Sequence, residues 1–329
     1  MRYGSVCSGI EAATMAWHPL SWEPAFFSEI EDFPRAALQH HYPDVPLHGD
    51  FTTIGADQHG AIDLLVGGTP CQSFSIAGLR GGMDDDRGNL SLEFLRLAER
   101  KAAKWLVWEN VPGVLSSNGG RDFGSFLGAL AELGYGFAYR VLDAQYFGVA
   151  QRRRRVFVVG YLGDWRRAAA VLLERQGLCG DSPPRREEGQ KVAPAVTTGP
   201  PFSRTGNERV EADAMVPVSV YENQQSNIYE SDVFGPVLTG GGKPGQGYGA
   251  VREGLRVRRI TPTECERLQG FPDGFTQIAY RGNRAEKCPD GPRYRALGNS
   301  MAVPVMRWIG ERINKIDKRK NIKPPEAGA

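Results

Sequence analysis

The feature that most constrains this chain is a short apolar run that breaks into glycine, proline and cysteine within residues 62–75. Ile62 to Val66 is typical of a buried strand, and Gly-Gly-Thr-Pro at 67–70 ends it in a tight loop. Open α/β sheets keep their active sites at such carboxyl edges. The loop carries Cys71, whose thiolate would be a candidate nucleophile. The alternative is an inert thiol, because free cysteines are often simply buried.

Composition bounds the class of protein. The chain has 329 residues, 41% hydrophobic and 24% charged, which suits one large globular domain or a large and a small one. Its five cysteines are far apart and form no Cys-x-x-Cys pair, which argues against disulfides or a zinc cluster. With no signal peptide and no run of about 20 apolar residues, we expect a cytoplasmic protein without a membrane span. A net charge of +2 does not by itself indicate nucleic acid.

Alternating sequence patterns predict an α/β fold. We predict strands at 3–8, 24–29, 62–66, 104–108, 136–142 and 156–161, and helices at 10–17, 33–41, 89–103, 121–133 and 164–176. The first strand, a turn at Gly9 and the next helix would form a pocket for a nucleotide-like ligand. The Gly-x-Gly-x-x-Gly fingerprint is absent, so this signal is weak alone.

Acidic residues follow the second and third strands. Glu29 stands at the tip of the second strand, where a carboxylate suits a ribose diol; a surface Glu at a helix start is the alternative. After a third short strand that ends before Gly49, Asp50 can accept from an exocyclic amine and Phe51 can pack on a ring. A turn-forming Asp is the alternative for Asp50.

Another strand ends in a potential acid–base group. Strand 104–108 runs into Glu109-Asn110-Val111, one βα unit after Cys71. In a parallel sheet Glu109 and Cys71 would face the same edge, although a capping Asn with an incidental Glu is the alternative. Residues 73–88 are rich in Gly and Asp and long for a connection, which favours a lid.

An arginine run, Gln151-Arg152-Arg153-Arg154-Arg155, precedes the strand at 156–161. Alternate side chains of an extended run share a face, so Arg153 and Arg155 would point the same way. A solvated basic surface is the usual meaning of clustered charge. We favour contact with an anion or a base, because this run starts a strand.

The amino-acid composition of the sequence changes after about residue 162. Residues 180–257 are rich in Gly, Pro, Ser and Asn with short β-like runs, which indicates a separate loop-rich module; Arg258 and Arg259 add positive charge near its end. Thr261-Pro262-Thr263-Glu264 predicts a helix start. We expect domains at 1–177 and 178–285, a returning segment at 286–316 and a disordered tail at 317–329.

Taken together, the motifs resemble those of the DNA (cytosine-5) methyltransferases of the prophage or restriction-modification kind. They are Cys-Ser-Gly-Ile-Glu (7–11), Gly-Asp-Phe (49–51), Gly-Gly-Thr-Pro-Cys-Gln-Ser-Phe-Ser (67–75), Glu-Asn-Val (109–111), Gln-Arg-Arg-Arg-Arg (151–155), Arg-Ile-Thr-Pro-Thr-Glu-Cys-Glu-Arg-Leu-Gln-Gly-Phe-Pro (259–272) and Gly-Asn-Ser (298–300). The first motif departs from the family's Phe-x-Gly-x-Gly, with Cys7 for Phe and Glu11 for the second Gly.

The resemblance implies a fold and a mechanism. The fold would be a Rossmann-like class I S-adenosylmethionine-dependent sheet, with a smaller target-recognition domain at 178–285. Cys71 would add to C6 of a flipped cytosine in duplex DNA, and the methyl group of S-adenosylmethionine would pass to C5, without a metal. Glu109 would carry a proton near N3, Arg155 would hold O2, and Arg153 would support a loop or a phosphate.

The resemblance also implies binding residues and a monomeric protein, bacterial or phage-encoded. The cofactor residues would be Cys7, Ser8, Gly9, Ile10, Glu29, Ile30, Asp50, Phe51, Pro70, Asn299 and Ser300. The DNA-binding residues would be Gln72, Ser73, Gln151, Arg258 and Arg259.

Three alternatives remain. A transfer RNA methyltransferase of the same family would carry a Cys-Phe-Thr signature, which we do not find. A second alternative is a DNA-binding module with an inactive catalytic site. The sequence does not require inactivity, because Cys71, Glu109 and Arg155 are all present. A nicotinamide dehydrogenase would need the missing glycine fingerprint.

Overall fold

The computed structural model describes residues 1–70, 90–173, 218–222, 228–231, 249–253 and 256–318. Side chains are described for all of these except 218–258. Cys71, Gln72, Ser73, the predicted lid, most of the loop-rich module and residues 319–329 lie outside this part of the chain.

A mixed sheet of seven strands forms the centre of the molecule, in the order β3-β2-β1-β4-β5-β7-β6. Its strands are β1 (Arg2–Val6), β2 (Glu23–Ser28), β3 (Leu47–His48), β4 (Leu64–Gly67), β5 (Trp105–Asn110), β6 (Tyr135–Asp143) and β7 (Arg154–Leu162). The first five strands are parallel, and β7 is antiparallel to both of its neighbours. The predicted α/β fold is confirmed, and the chain reverses its winding direction between β1 and β4, where such sheets bind ligands.

The described helices are α1 (Ala12–Trp17), α2 (Asp32–His41), α3 (Leu90–Arg100), α4 (Arg121–Glu132), α5 (Trp165–Leu172), α6 (Pro262–Gln269), α7 (Asp290–Asn299) and α8 (Val303–Asp317). The predicted start of α6 is confirmed. Thr261 and Glu264 form a reciprocal capping box, with proline in the first turn. Gly270 then ends α6 in the left-handed conformation.

Helices cover both faces of the sheet, so the central strands are buried on both sides. Successive side chains alternate between two apolar clusters, as the pleat requires. Leu64 and Val66 belong to the first cluster with α1 and α8, whereas Leu65 belongs to the second with α3 and α4. The near-continuous apolar runs of β4 and β5 follow from this double burial.

The C-terminal helix α8 completes the first face by packing against α1. Trp17 is fully buried, and its indole Nε1 donates to the carbonyl of Met306 at 2.8 Å. Gly310 lets the two helices approach, because a Cβ at that position would lie 2.3 Å from the Trp17 ring. The closing helix is therefore part of the main core.

A second sheet is antiparallel, with strand order β11-β10-β8-β9. Its strands are β8 (Val218–Glu222), β9 (Ile228–Ser231), β10 (Gly249–Glu253) and β11 (Arg256–Arg259). From Ile260 onward the chain returns to the first apolar cluster, which includes Cys265, Phe271 and Ile278. Within the described ranges, no helix is long and apolar enough to cross a bilayer.

The contact between α1 and α8 predicts opposite effects of two glycine-to-alanine changes. Gly310→Ala should destabilise the protein by about 1–3 kcal/mol, because the new methyl group overpacks against Trp17. Gly128→Ala, in the exposed face of α4 with nothing within 4 Å, should stabilise it by about 0.5–1 kcal/mol. Urea unfolding of both variants measures the difference, and unchanged stability in Gly310→Ala would contradict this account of α8.

Candidate active site

Three parallel strands end side by side at the centre of the sheet. Val6 of β1 pairs with Gly67 of β4, and Gly67 pairs with Trp108 of β5. The next residues, including Cys7 and Glu109, therefore lie at one edge. There they line a pocket together with predicted cofactor residues from both ends of the chain, namely Ser8, Gly9, Asn299 and Ser300.

The loop after β1 is shaped by Gly9 and Glu29. Gly9 has φ +55°, and a Cβ there would meet nothing within 4 Å, so the loop leaves open space. The Glu29 carboxylate accepts from Gly9 N at 2.8 Å, Ile30 N at 2.8 Å and Glu31 N at 2.9 Å. A carboxylate has about four acceptor sites. These backbone bonds therefore leave Glu29 about one site for a ribose hydroxyl.

Cys7, Ser8 and Ile10 fix the loop in different ways. Cys7 lines the pocket, and burial beside Glu29 and Asp50 raises the pKa of its thiol to about 12, so it stays neutral. Ser8 Oγ donates to Ser5 O at 3.0 Å and holds the loop to its own strand. Ile10 is 1% exposed and belongs to the core, so its side chain anchors the loop from beneath.

The residues predicted around an adenine lie in three different environments. Ile30 is 71% exposed, which leaves its side chain accessible. Asp50 Oδ1 accepts from Thr52 N at 2.9 Å, the bond of a turn-forming Asp. The ring of Phe51 is buried in the second apolar cluster with Ile54 and does not line the pocket described above, so its packing on an adenine stays a prediction.

Glu109 is a buried carboxyl at the carboxyl end of β5. Its Oε1 lies 3.2 Å from Arg155 Nε, but this oxygen makes no hydrogen bond within the described residues. Burial raises the pKa of Glu109, and the Arg153 and Arg155 guanidiniums oppose that rise. The group is therefore placed to keep or share a proton at higher pH than an ordinary carboxyl does.

The two alternate arginines both act on Glu109 but make different contacts. Arg155 is partly exposed and donates from Nη1 to Arg154 O at 2.8 Å. Arg153 is buried and donates to Gly298 O at 3.1 Å and to Ser300 O at 2.7 Å. A phosphate contact for Arg153 is therefore wrong, because its guanidinium faces backbone carbonyls. Arg153 instead positions the 298–300 segment at the pocket.

The DNA-binding prediction for Gln151 is also wrong in this structure. Its side chain is fully buried, and Nε2 donates to the carbonyl of Leu268 at 3.1 Å. A tertiary partner on α6 takes up the amide that would otherwise face solvent. Arg259 is exposed at the end of β11, whereas the side chain of Arg258 is not described. Pro70 is exposed in the loop that follows β4, immediately before Cys71, which lies outside the described residues.

A polar cluster that the sequence analysis missed fixes the chain on either side of residues 71–89. Trp108 Nε1 donates to Thr69 Oγ1 at 2.9 Å, and Thr69 Oγ1 lies 2.7 Å from Ser91 Oγ. Asn110 Nδ2 donates to Thr69 O at 3.0 Å. A tryptophan inside a buried strand was the available signal, since a buried indole N–H needs an acceptor. The cluster ties the start and end of that segment to β5.

Comparison with known proteins agrees with this geometry. The family model for C-5 cytosine-specific DNA methylase matches residues 1–196 and 186–315. A protein of Escherichia phage P1, named DNA N-6-adenine-methyltransferase, is 36% identical over 95% of this chain. This chain spans 61% of that relative. Type II methyltransferase M1.ScrFI of Lactococcus lactis subsp. cremoris is 27% identical, with 94% of this chain and 77% of the relative covered.

A solved structure supports the fold alone. The S. pombe Dnmt2 methyltransferase superposes with a TM-score of 0.64 at 16% identity, covering 97% of this chain and 98% of its own. The seven-stranded sheet and its helices therefore follow the Rossmann-like methyltransferase architecture.

The contacts of Arg153 predict a larger stability loss there than at Arg155. Arg153→Lys should lower the free energy of unfolding by about 1–3 kcal/mol, because one ammonium cannot reproduce a guanidinium fork between two carbonyls. Arg155→Lys, which keeps the charge at a partly exposed position, should cost less than about 1 kcal/mol. Urea midpoints at unchanged m-value measure both, and equal losses would contradict the positioning role of Arg153.

Proposed function

Because this chain belongs to the C-5 cytosine-specific DNA methylase family, we propose that it methylates cytosine at C5 in duplex DNA, using S-adenosylmethionine. The observation that carries the proposal is the buried Glu109 at the carboxyl end of β5. It lies beside Arg155 and lines the same pocket as Cys7 and Gly9. The tight loop after β4 brings the chain to this same edge immediately before Cys71.

The proposed chemistry begins with the nucleophile. Cytosine C5 is too weak a nucleophile to take a methyl group directly, so the Cys71 thiolate adds to C6 and forms an S–C6 bond. Glu109, whose pKa burial raises, supplies or shares a proton at N3 while C5 gains carbanion character. Arg155 holds O2 of the base. Once C5 has taken the methyl group that S-adenosylmethionine would supply, the C5 proton is lost to water, N3 returns its proton to Glu109, and cleavage of the S–C6 bond releases 5-methylcytosine and the Cys71 thiolate.

We place the cofactor in the pocket on the β1 side. Gly9 leaves open space in the loop, and Asn299 and Ser300 close the pocket from the C-terminal segment. Glu29 has room for about one ribose hydroxyl beside its backbone bonds. S-adenosylmethionine would supply the methyl group when bound there.

We further propose that the recognition domain ends earlier than the sequence analysis predicts. Residues from Ile260 onward pack in the core of the main sheet, which favours a domain boundary near 259 and not at 285.

The target base would leave the duplex, since C6 is inaccessible within the stack. A monomer acting on double-stranded DNA, within a restriction-modification or prophage setting, remains the proposed form.

The name of the phage P1 relative raises adenine N6 as a second product. This chain spans 61% of that relative, so the relative also contains a part that has no counterpart here. An exocyclic amine can attack a methyl donor directly and needs no thiolate nucleophile. The Pro-Cys-Gln and Glu-Asn-Val motifs therefore favour cytosine.

The proposed reaction is tested by identifying the methylated nucleoside. After incubation with S-adenosylmethionine and mixed genomic DNA, we expect 5-methylcytosine by mass spectrometry of hydrolysed DNA and protected cytosines in one short context by bisulfite sequencing. Cys71→Ser should abolish the product and retain DNA binding, because the hydroxyl is a far weaker nucleophile. N6-methyladenine as the product, or methylated RNA alone, would overturn the proposal.

Glu109→Gln tests the proton-carrying role at N3. Gln keeps the shape but cannot release a proton, so the single-turnover rate should fall by about 10²–10⁴-fold. The affinity for S-adenosylmethionine, measured by calorimetry, should change less than about twofold, since Glu109 is not the proposed partner of either positive group of the cofactor. An unchanged single-turnover rate would remove Glu109 from the mechanism.

A further inference from the structure

Glu11 is a second buried carboxyl at the pocket, and the proposed mechanism does not use it. It lines the pocket together with Cys7, Gly9 and Ser300. The residue is 1% exposed. It occupies the position where the resembling family carries the second glycine of its first motif. A glycine replaced by a buried acid at a ligand pocket calls for a physical reason.

The carboxyl of Glu11 is held by neutral donors, namely two side-chain hydroxyls and the backbone N–H of Thr14. Ser5 Oγ donates to Oε1 at 2.7 Å, and Thr14 Oγ1 donates to Oε2 at 3.1 Å. Tyr3 OH lies 2.6 Å from Thr14 Oγ1 and completes the chain of hydroxyls. These bonds orient both oxygens, but within the described residues no Lys, Arg or His forms an ion pair with Glu11.

A buried carboxylate without a cation is costly, because desolvation is not repaid by a partner charge. Burial accordingly raises the pKa of Glu11 to about 7, against the lowering effect of Ser5 and Thr14. The other titratable groups facing it carry no positive charge. They are Tyr3 and Tyr42, whose pKa values burial raises and the carboxylate raises further, and Cys7 and Glu109, which line the same pocket.

The backbone of Glu11 adds a second cost. Its φ of 65° and ψ of 60° lie in the left-handed region, which glycine adopts without strain and other residues avoid. Strain and a poorly compensated buried charge at a pocket are typical of a binding role.

We propose that Glu11 is the anionic partner of the positively charged methionine portion of bound S-adenosylmethionine. The inference rests on the proposed function, because it assigns the cofactor to this pocket. The hydroxyls of Ser5 and Thr14 aim the carboxylate, and the cofactor supplies the missing cation. Two groups carry positive charge in that portion, the α-ammonium and the sulfonium, and either one can pair with a carboxylate.

Calorimetric binding of three ligands to two variants tests this assignment without measuring methyl transfer. Glu11→Gln removes the charge and keeps the shape, and Glu11→Gly also removes the backbone strain, so at least one variant should fold. Both should bind S-adenosylmethionine at least about tenfold more weakly than wild type. S-adenosylhomocysteine, which lacks the sulfonium, should weaken equally if the ammonium is the partner and stay unchanged if the sulfonium is. 5′-Methylthioadenosine, which has neither charge, should bind all proteins alike.

Proton release on binding provides a readout that a structural role would not change. A cation beside Glu11 lowers its pKa from about 7, so wild type should release close to one proton at about pH 6, less as the pH rises through about 7, and little above about pH 8. Calorimetry in buffers of different ionisation enthalpy measures this release, and both variants should lose it.

Folded variants with wild-type affinity and wild-type proton release would overturn the role of Glu11 alone. Wild-type protein that fails to bind S-adenosylmethionine would instead overturn the proposed function. Equal weakening of 5′-methylthioadenosine would also contradict the assignment, since that ligand carries no positive charge.

Discussion

The site depends on the parallel pairing of β4 between β1 and β5. Gly67 pairs with Val6 on one side and with Trp108 on the other, so β1 and β4 end level with Trp108 and β5 continues to Asn110. That register brings a cofactor loop, the loop before Cys71 and Glu109 to one edge. A shift of one residue in any of these strands would turn its outgoing side chain to the other face. The double burial of β4 and β5 in the two apolar clusters makes such a shift costly.

The electrostatics of the site follow from three buried carboxyls with three different kinds of partner. Glu29 accepts from three backbone amides. Glu109 lies near two guanidiniums and still has a raised pKa, because burial outweighs them. Glu11 has only neutral donors. The three acids can thus serve different tasks, since Glu29 shapes the loop after β1, Glu109 holds a transferable proton and Glu11 can accept a ligand cation.

The sequence predicted most elements of the sheet because apolar periodicity and Gly-Pro breaks are local signals. It also predicted that Glu109 stands at the sheet edge next to the loop carrying Cys71. It failed where a distant partner decides the outcome. Leu268 takes up the amide of Gln151, and Gly298 and Ser300 take up the guanidinium of Arg153. The residues next to Gln151 and Arg153 in the sequence do not indicate whether these side chains will be buried. Burial depends on backbone carbonyl acceptors more than 100 positions away in the chain.

The closure of α8 on α1 has a consequence for how the protein is made. The bond from Trp17 to Met306 joins residues 289 positions apart, and Asn299 and Ser300 reach the pocket formed by Ser8 and Gly9. Domains of a growing chain fold from the N-terminus, and contacts of long sequence separation form late. The apolar face of α1 therefore stays uncovered until residues 303–317 of α8 have been synthesised and can pack on it. The pocket is likewise complete only once Asn299 and Ser300 have been synthesised.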